Sequence, residues 1–467
     1  MKSKNGTRAL AASLGLAADV VDVELSGVSL SAAEVEPGDL FVAIQGQRHH
    51  GLDFLQQAIS NGAAAVLSDR AVNINIPALV HPDPKSVIGV VCDLIFPELE
   101  LKLFGVTGTN GKTSVSSYLH QIICDLGAKC ALSTSVGFQG LRALKSAALT
   151  TPELTTLRKW LRDFAAEGGE TAAIEVSAQA LTRNRVDGLK FAVVGFTNLT
   201  RDHLDDYGSM ENYFAAKAQL FTNQRAEQGV IFLSDQYATK LAEAATIPVT
   251  TVGDSGDVGF SYKAGKLSLS GKINFQIEFA AGELMARNFA LALVMAHCAG
   301  FDIQKLSAAP AGYQVPGRLE LVSKSTPHVY VDYAHTPDGI AQAVKEIRSR
   351  YSGVTLVFGA SGNRDIGKRA EMGRAAAAAE RVYLTDQHPR DEDPATIRAA
   401  VAEGLVDSGK SFVELSDPTE AIAVAIASTP RDQAVLWCGP GHLKYREIAG
   451  QKIAFDAREI AKNLVEK

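Results

Sequence analysis

The stretch Lys102-Leu103-Phe104-Gly105-Val106-Thr107-Gly108-Thr109-Asn110-Gly111-Lys112-Thr113 decides the reading of this chain, because an apolar strand runs through a glycine turn straight into a helix-forming segment, Ser114–Leu126. Strand, loop and helix in that order make an anion site. Glycines let successive backbone N–H groups point at phosphate oxygens, and the helix N-terminus adds its positive end. Lys112 can neutralise terminal phosphates, and the Thr113 hydroxyl can hold Mg²⁺. The loop is a variant of the strict phosphate-loop pattern, which has glycine where this chain has Val106. An ordinary glycine-rich turn is the alternative, and G-K-T opening a helix directly after a strand weighs against it.

Outward from this loop the chain alternates strands and helices. Before it, Asp39–Ile44 and Ala64–Leu67 read as strands and Phe54–Asn61 as a helix. After it come strand candidates Ala172–Val176, Phe191–Phe196, Gly229–Leu233 and His328–Asp332, then Thr355–Phe358, Val382–Thr385, Phe412–Leu415 and Ala434–Cys438. Asn212–Phe221, Ala370–Glu380 and Ala395–Glu403 read as helices, the alanine run Ala375–Ala379 being a good helix former. Regular alternation of this kind predicts an α/β fold of mostly parallel sheets covered on both faces. Ala308–Gly317, with two prolines and two glycines, reads as a linker. Three domains are expected: 1–98, 99–312 and 313–467.

Composition narrows the function. With 467 residues the chain is long enough for several cores, and 46% hydrophobic against 21% charged residues is ordinary globular usage. A net charge of −6 advertises neither nucleic-acid nor anionic-membrane binding. The five cysteines are scattered without C-x-x-C, as in a reducing compartment. Lys2, Lys4 and Arg8 precede a small apolar stretch, Ala11–Ala18, but Ser13, Gly15, Asp19, Asp22 and Glu24 break the likeness to a secretory leader. A soluble cytoplasmic protein, and a monomer, is expected.

Phosphate and Mg²⁺ chemistry needs acidic or imidazole groups, and strand ends supply them. Glu175 ends one strand with Ser177 just beyond, while Asn198 and His203 follow Phe191–Phe196. In an open α/β sheet such residues line the ligand crevice. Lys217 lies on a helix among apolar neighbours, where a snorkelling lysine is the simplest account. Further on, Arg364, Lys368 and Arg369 make a basic glycine loop, suited to phosphate or carboxylate or else a solvated turn. His388 and Arg390 stand in a loop stiffened by Pro389 and Pro394.

Taken together, GVTGTNGKTS (105–114), TTPE (150–153), IEVSAQAL (174–181), FTNLTRDHLDDYG (196–208), YFAAKAQLF (213–221), ARN (286–288), VPGRLE (315–320), VDYAHTPD (331–338), GASGNRDIGKR (359–369) and DQHPRDEDP (386–394) resemble the Mur ligases, ATP-dependent amide-forming enzymes of peptidoglycan precursor synthesis. The likeness extends over essentially the whole chain and is greatest to the MurE branch, which adds the third stem-peptide residue to UDP-N-acetylmuramoyl-L-Ala-D-Glu. It implies a UDP-sugar-binding N-terminal domain, a central ATP-binding domain with a phosphate-loop parallel sheet, and a Rossmann-like C-terminal domain that takes the amino acid. It implies ATP contacts at Gly108, Thr109, Asn110, Gly111, Lys112, Thr113, Asn288, Arg318, Asp332 and His335. Mg²⁺ would be held by Thr113, Glu175, His203 and a carbamylated Lys217, with Lys112, Lys217, His203 and Glu175 the catalytic group. Thr150, Thr151, Ser177 and Arg185 would hold the UDP-sugar dipeptide, and Arg369, Asp386, His388 and Arg390 the incoming amino acid.

The chain departs from the family pattern at Ser31-Ala32-Ala33, Ser177-Ala178-Gln179 and Arg183. Diaminopimelate-adding members usually carry D-N-P-R and G-K-G-H-E. Here the segments are Asp386-Gln387-His388-Pro389-Arg390 and Gly439-Pro440-Gly441-His442-Leu443. Leu443 cannot pair with the distal amino group of diaminopimelate, which selects against that end of the ligand, while the retained Arg390 argues for a carboxylate contact. The compromise is a diamino acid without the second carboxylated centre, L-lysine or L-ornithine, with meso-diaminopimelate the alternative. A Mur-type or folylpolyglutamate-type amide ligase of another pathway and a non-ligase ATPase are the remaining readings.

Overall fold

The computed structural model describes residues 5–17, 19–46, 49–96, 100–140, 149–306 and 314–466. The boundaries expected at 98/99 and 312/313, residues 308–313 of the linker stretch, and Lys2 and Lys4 lie outside the described residues. The chain divides into two compact units, Met1–Phe104 with Ala128–Ala192 and Gly105–Gly127 with Val193–Lys467.

In the first unit, Gly27–Ser29, Asp39–Ala43, Ala65–Ser68 and Ala78–Val80 form a parallel sheet in that order. Asp39–Ala43 is buried along its whole length, so its side chains serve two cores alternately. Leu40 and Val42 pack with Leu10, Val91 and Phe96, whereas Phe41 and Ala43 pack with Leu55 and Ala58. The same unit holds Thr171–Glu175 parallel to Cys130–Thr134, with Gly137–Gln139 antiparallel beyond it. Leu154, Leu157, Leu161 and Phe164 are the buried stripe of helix Leu154–Ala166, and three- and four-residue steps put them on one face.

The second unit carries a sheet that runs from Phe275–Glu278 through Lys266–Gly271, Val258–Lys263, Val249–Val252 and Ala226–Phe232 to Phe191–Phe196 and the end of Lys102–Thr107. Helix Lys112–Asp125 leaves the loop and packs on helix Glu283–Cys298, where the Tyr118 and Phe289 rings meet edge to face at 5.4 Å. Burying one such ring stabilises by roughly 1.5–3 kcal/mol, so the loop is anchored from behind. The six-stranded sheet of this unit has the order Glu320–Ser323, His328–Asp332, Ala434–Cys438, Val354–Phe358, Arg381–Leu384, Val413–Glu414. All its pairs are parallel except the first. The carboxyl ends therefore bring Tyr333–His335, Gly359–Gly362, Thr385–Arg390 and Gly439–His442 to one edge.

Three features depart from the expected alternation. Val258–Lys263 and Lys266–Gly271 form an antiparallel hairpin, closed by Ala264 (φ 50°) and Gly265 (φ 77°). Tyr445–Ile448 and Gln451–Ala454 form another, closed by Ala449 (φ 47°) and Gly450 (φ 73°). Two left-handed residues in succession match the twist of the paired strands, and Ala-Gly is a weaker sequence signal for that turn than Asn-Gly. The alanine run leaves its helix at Ala376, because Glu380 must turn to receive Val354 N–H on its carboxylate at 2.6 Å and start the next strand. Tertiary pairing here outweighs helix propensity. No helix among the described residues is long and apolar enough to cross a membrane.

Candidate functional site

The phosphate loop is tied down residue by residue. Thr109 N–H donates to the Asn198 carbonyl at 2.9 Å, and Asn110 N–H to Asn198 Oδ1 at 2.9 Å. Gly108 (φ 145°) and Gly111 (φ 86°) adopt backbone that disfavours side chains. A Cβ on Gly108 would fall 1.9 Å from Thr197 Oγ1, and one on Gly111 would fall 2.6 Å from Asn288 Oδ1. Both glycines are therefore required, and Asn288 stands against the loop. Lys112 Nζ donates to the carbonyls of Gly108 and Thr109 at 3.0 and 2.8 Å. Thr113 is buried, and its hydroxyl accepts from Arg318 Nη2 at 3.0 Å. The Arg318 guanidinium also lies over the Tyr333 ring, 4.5 Å from its centre.

Lys217, 1% exposed, reaches the same loop: its Nζ donates to the Gly108 carbonyl at 2.7 Å and stands 4.4 Å from the centre of the Tyr213 ring. The snorkelling account does not hold for a side chain that ends inside the protein. His203 begins its short helix in the left-handed region (φ 55°), which aims the imidazole at Asp202, Nε2 to Oδ2 3.4 Å. Burial holds His203 down at about 4, against the pull of Asp202, so the ring is neutral near pH 7.

Asp202 itself was not singled out from the sequence, although it precedes His203 directly. Its Oδ1 accepts from Lys368 Nζ at 2.9 Å, and its Oδ2 stands 3.7 Å from His335 Nε2. Burial would raise this carboxyl, but the neighbouring His335 and His203 imidazoles and the Lys368 ammonium prevail and hold it well below the usual carboxylate range. Lys368 is thus a buried partner of Asp202 rather than a solvated turn residue. Asp332 accepts from Leu319 N–H at 2.7 Å and Ala334 N–H at 2.6 Å, while burial pushes its carboxyl up. Asn110 Nδ2 donates to Asp338 at 3.1 Å, so the loop and the residues after the six-stranded sheet's second strand meet within this unit.

At the same sheet edge lie the four residues expected to read an amino acid. Arg369, 2% exposed, grips Glu392 at 2.8 Å, and Asp386 pairs with Arg398. His388 Nδ1 accepts from Glu447 N–H at 3.0 Å, which leaves the ring proton on Nε2. Burial, with Arg390 and Arg446 nearby, holds His388 down at about 4. Arg390 sits at φ 54° with its Nε 3.2 Å from Glu447 Oε2, and donates through Nη1 to the Gly362 carbonyl at 3.3 Å. Arg398, Glu392 and Glu447 escaped the sequence reading because their partners are remote or lie on an unforeseen hairpin.

In the first unit, Glu175 Oε2 accepts from Ser135 N–H at 3.1 Å and its carbonyl accepts from Thr151 Oγ1 at 2.8 Å. Thr151 Oγ1 in turn accepts from Ser177 N–H at 3.0 Å, and Ser177 Oγ caps the helix Ala178–Thr182. Arg185, 7% exposed, pairs with Glu153 at 2.9 Å and reaches the Thr151 carbonyl at 3.4 Å. These four form one polar cluster, with Thr150 beside it and half-buried.

Models of the Mur ligase middle domain, the Mur ligase glutamate ligase domain and the Mur ligase family catalytic domain match residues 106–296, 317–441 and 24–101. A UDP-N-acetylmuramyl-tripeptide synthetase of Leifsonia xyli is 41% identical, over 96% of this chain and 93% of its own. A UDP-N-acetylmuramoyl-L-alanyl-D-glutamate–2,6-diaminopimelate ligase of Streptomyces coelicolor is 36% identical, over 98% and 96%. The solved structure of a ligase of that same description has TM-score 0.62 at 30% identity, covering 95% of each chain. A MurF ligase of Thermotoga maritima in complex with ADP has TM-score 0.70 at 18% identity over 94% and 97%, which bears on the fold alone. Phosphate loop, strand-end polar residues and whole-length similarity converge: the chain belongs to the Mur ligase family of ATP-dependent amide-forming ligases.

Proposed function

We propose that this chain is a cytoplasmic enzyme that adds the third stem-peptide residue to UDP-N-acetylmuramoyl-L-Ala-D-Glu, and that the residue is a diamino acid of the L-lysine or L-ornithine type. The observation that carries the reaction class is the loop Gly108–Thr113, held open by glycines with Lys112, Lys217, Thr113 and Arg318 gathered on it. ATP would phosphorylate the D-Glu side-chain carboxylate, since an amide cannot form by expelling oxide. The amine of the incoming amino acid then attacks the acyl phosphate and phosphate leaves. Lys112 and the loop amides stabilise the charge that moves between phosphoryl and acyl oxygens.

The residues around the loop fit Mg²⁺. Among the described residues no group of three His, Cys, Asp or Glu side chains could hold a metal alone. The candidate set instead combines the Thr113 hydroxyl, the His203 imidazole, neutral near pH 7 and so able to donate its lone pair, and Lys217 as a carbamate. Burial at 1% exposure favours that modification, because it replaces a costly buried ammonium by a group matched to a dication. Bound there, Mg²⁺ would supply neutralisation of phosphate charge. In the first unit, Thr150, Thr151, Ser177 and Arg185 are proposed to hold the dipeptide end of the nucleotide sugar. The domain division 1–98, 99–312 and 313–467 is part of the same proposal.

One observation supports the acceptor. The Arg390 guanidinium already stands beside Glu447, so a second carboxylated centre would have to compete with an internal carboxylate. Product analysis with UDP-N-acetylmuramoyl-L-Ala-D-Glu, ATP and a panel of amino acids tests the whole reading. A tripeptide product with ADP release is the expected result, and ATP hydrolysis without amide product would overturn it.

A further inference from the structure

The loop His388–Glu392 and the hairpin Tyr445–Ala454 are bound together by main-chain pairing: Arg390 N–H donates to the Glu447 carbonyl at 3.0 Å, and Ala449 N–H to the Arg390 carbonyl at 2.7 Å. This pairing sets the side chain of Glu447 next to that of Arg390. The nearby carboxylates differ in what already occupies them. Asp386 takes the Arg398 guanidinium, and Glu392 takes Arg369 at 2.8 Å together with Asn363 N–H. Asp391 is exposed and accepts a long contact from Asn363 Nδ2 at 3.3 Å.

Glu447 is different from all three. It is 35% exposed, and its approach to Arg390 Nε at 3.2 Å is not aligned as a hydrogen bond, Arg390 Nε having no hydrogen-bond partner. Its carboxylate is therefore oriented by an ion pair while retaining lone pairs for a ligand donor. The neighbouring imidazole of His388 stays neutral and so does not repel a cation. Resting on the acceptor reading above, we propose that Glu447 receives the distal ammonium of the incoming diamino acid, the task that Leu443 cannot perform. Arg390 acts as the positioning residue that holds Glu447 in place.

The test compares wild type, Glu447→Gln and Asp391→Asn with L-lysine, L-ornithine, meso-diaminopimelate and L-norleucine, which is lysine without its distal amine. Glu447→Gln should lower kcat/KM for the best diamino acid by about 10- to 100-fold, mainly through its KM. The KM values for ATP and the UDP-dipeptide, and any turnover of norleucine, should stay within about twofold, and Asp391→Asn should behave as wild type. Glu447→Asp should recover part of the loss. If Glu447→Gln changes the diamino acid by less than twofold, or weakens ATP and the UDP-dipeptide equally, the assignment of Glu447 is overturned while the ligase reading stands. A wild type that joins no diamino acid at all removes the ligase reading, and this inference falls with it.

Discussion

The phosphate loop and the loop proposed to read the acceptor lie in the same unit but are built in opposite ways. Gly108–Thr113 is a contiguous segment whose working groups are mostly its own backbone; Asn198 anchors it with three hydrogen bonds to Thr109 and Asn110, and Asn288 stands against Gly111. Asp386–Arg390 supplies little by itself. Three of its polar side chains are oriented by residues from elsewhere: Arg398 on Asp386, Glu447 N–H on His388 and the Glu447 carboxylate on Arg390. The difference teaches where change is tolerated. A backbone cradle is set by glycine geometry, whereas a loop whose side chains are held by long-range pairs can exchange members without disturbing the chain path.

The comparison breaks most visibly at Lys112. Lys112→Ala should leave the fold intact and reduce ATP-dependent turnover to less than about a tenth, a barrier rise above roughly 1.4 kcal/mol. Steady-state ADP release with an unfolding curve alongside decides it, and larger residual turnover would remove Lys112 from the phosphate assignment. Lys217→Ala should also abolish turnover, since its buried amine reaches from its helix to the Gly108 carbonyl of the loop. A short carboxylic acid added to that variant should restore part of the rate. A crystal grown at neutral to alkaline pH should show density for a carbamate on Nζ, and a bare amine there contradicts the modification.

At the acceptor loop the effect is one of choice rather than of rate. L-lysine or L-ornithine should exceed meso-diaminopimelate in kcat/KM by on the order of 10² to 10⁴, because a distal carboxylate has to displace Glu447 from Arg390. Side-by-side assays measure this ratio, and a preference for meso-diaminopimelate would mean that Arg390 and Glu447 together serve its distal zwitterion.

What the sequence made legible follows the same division. The strand–loop–helix of Lys102–Asp125 and the strand ends at Glu175 and Asp332 were readable because period, glycine placement and burial agree locally. The hairpin Tyr445–Ala454 was not, since its Ala449-Gly450 turn is a faint signal and its residues are half exposed. Glu447 was hidden with it. Asp202 and Lys368 are separated by 166 residues, and no local pattern announces that they meet at 2.9 Å in the interior. Pairings of that kind arise from packing two sheets, not from either segment.

The smallest effect distinguishes the two loops by pH. His388 is held at about 4 in the folded chain by burial and by the charges of Arg390 and Arg446, whereas an unfolded histidine titrates near its ordinary value, about 6.5. Between those values the unfolded chain binds the extra proton, so stability rises with pH across the window and is lost as pH falls through it. His203, also held at about 4, contributes with the same sign. Replacing His388 by Asn keeps an acceptor for Glu447 N–H and removes only one of the two protons. Denaturant unfolding at pH 6.5 and pH 4.5 should show wild type losing more stability than His388→Asn, by on the order of 2 kcal/mol. Equal losses in the two proteins would mean that the acceptor-loop imidazole takes up its proton while folded, and that Arg390 and Arg446 do not set its charge.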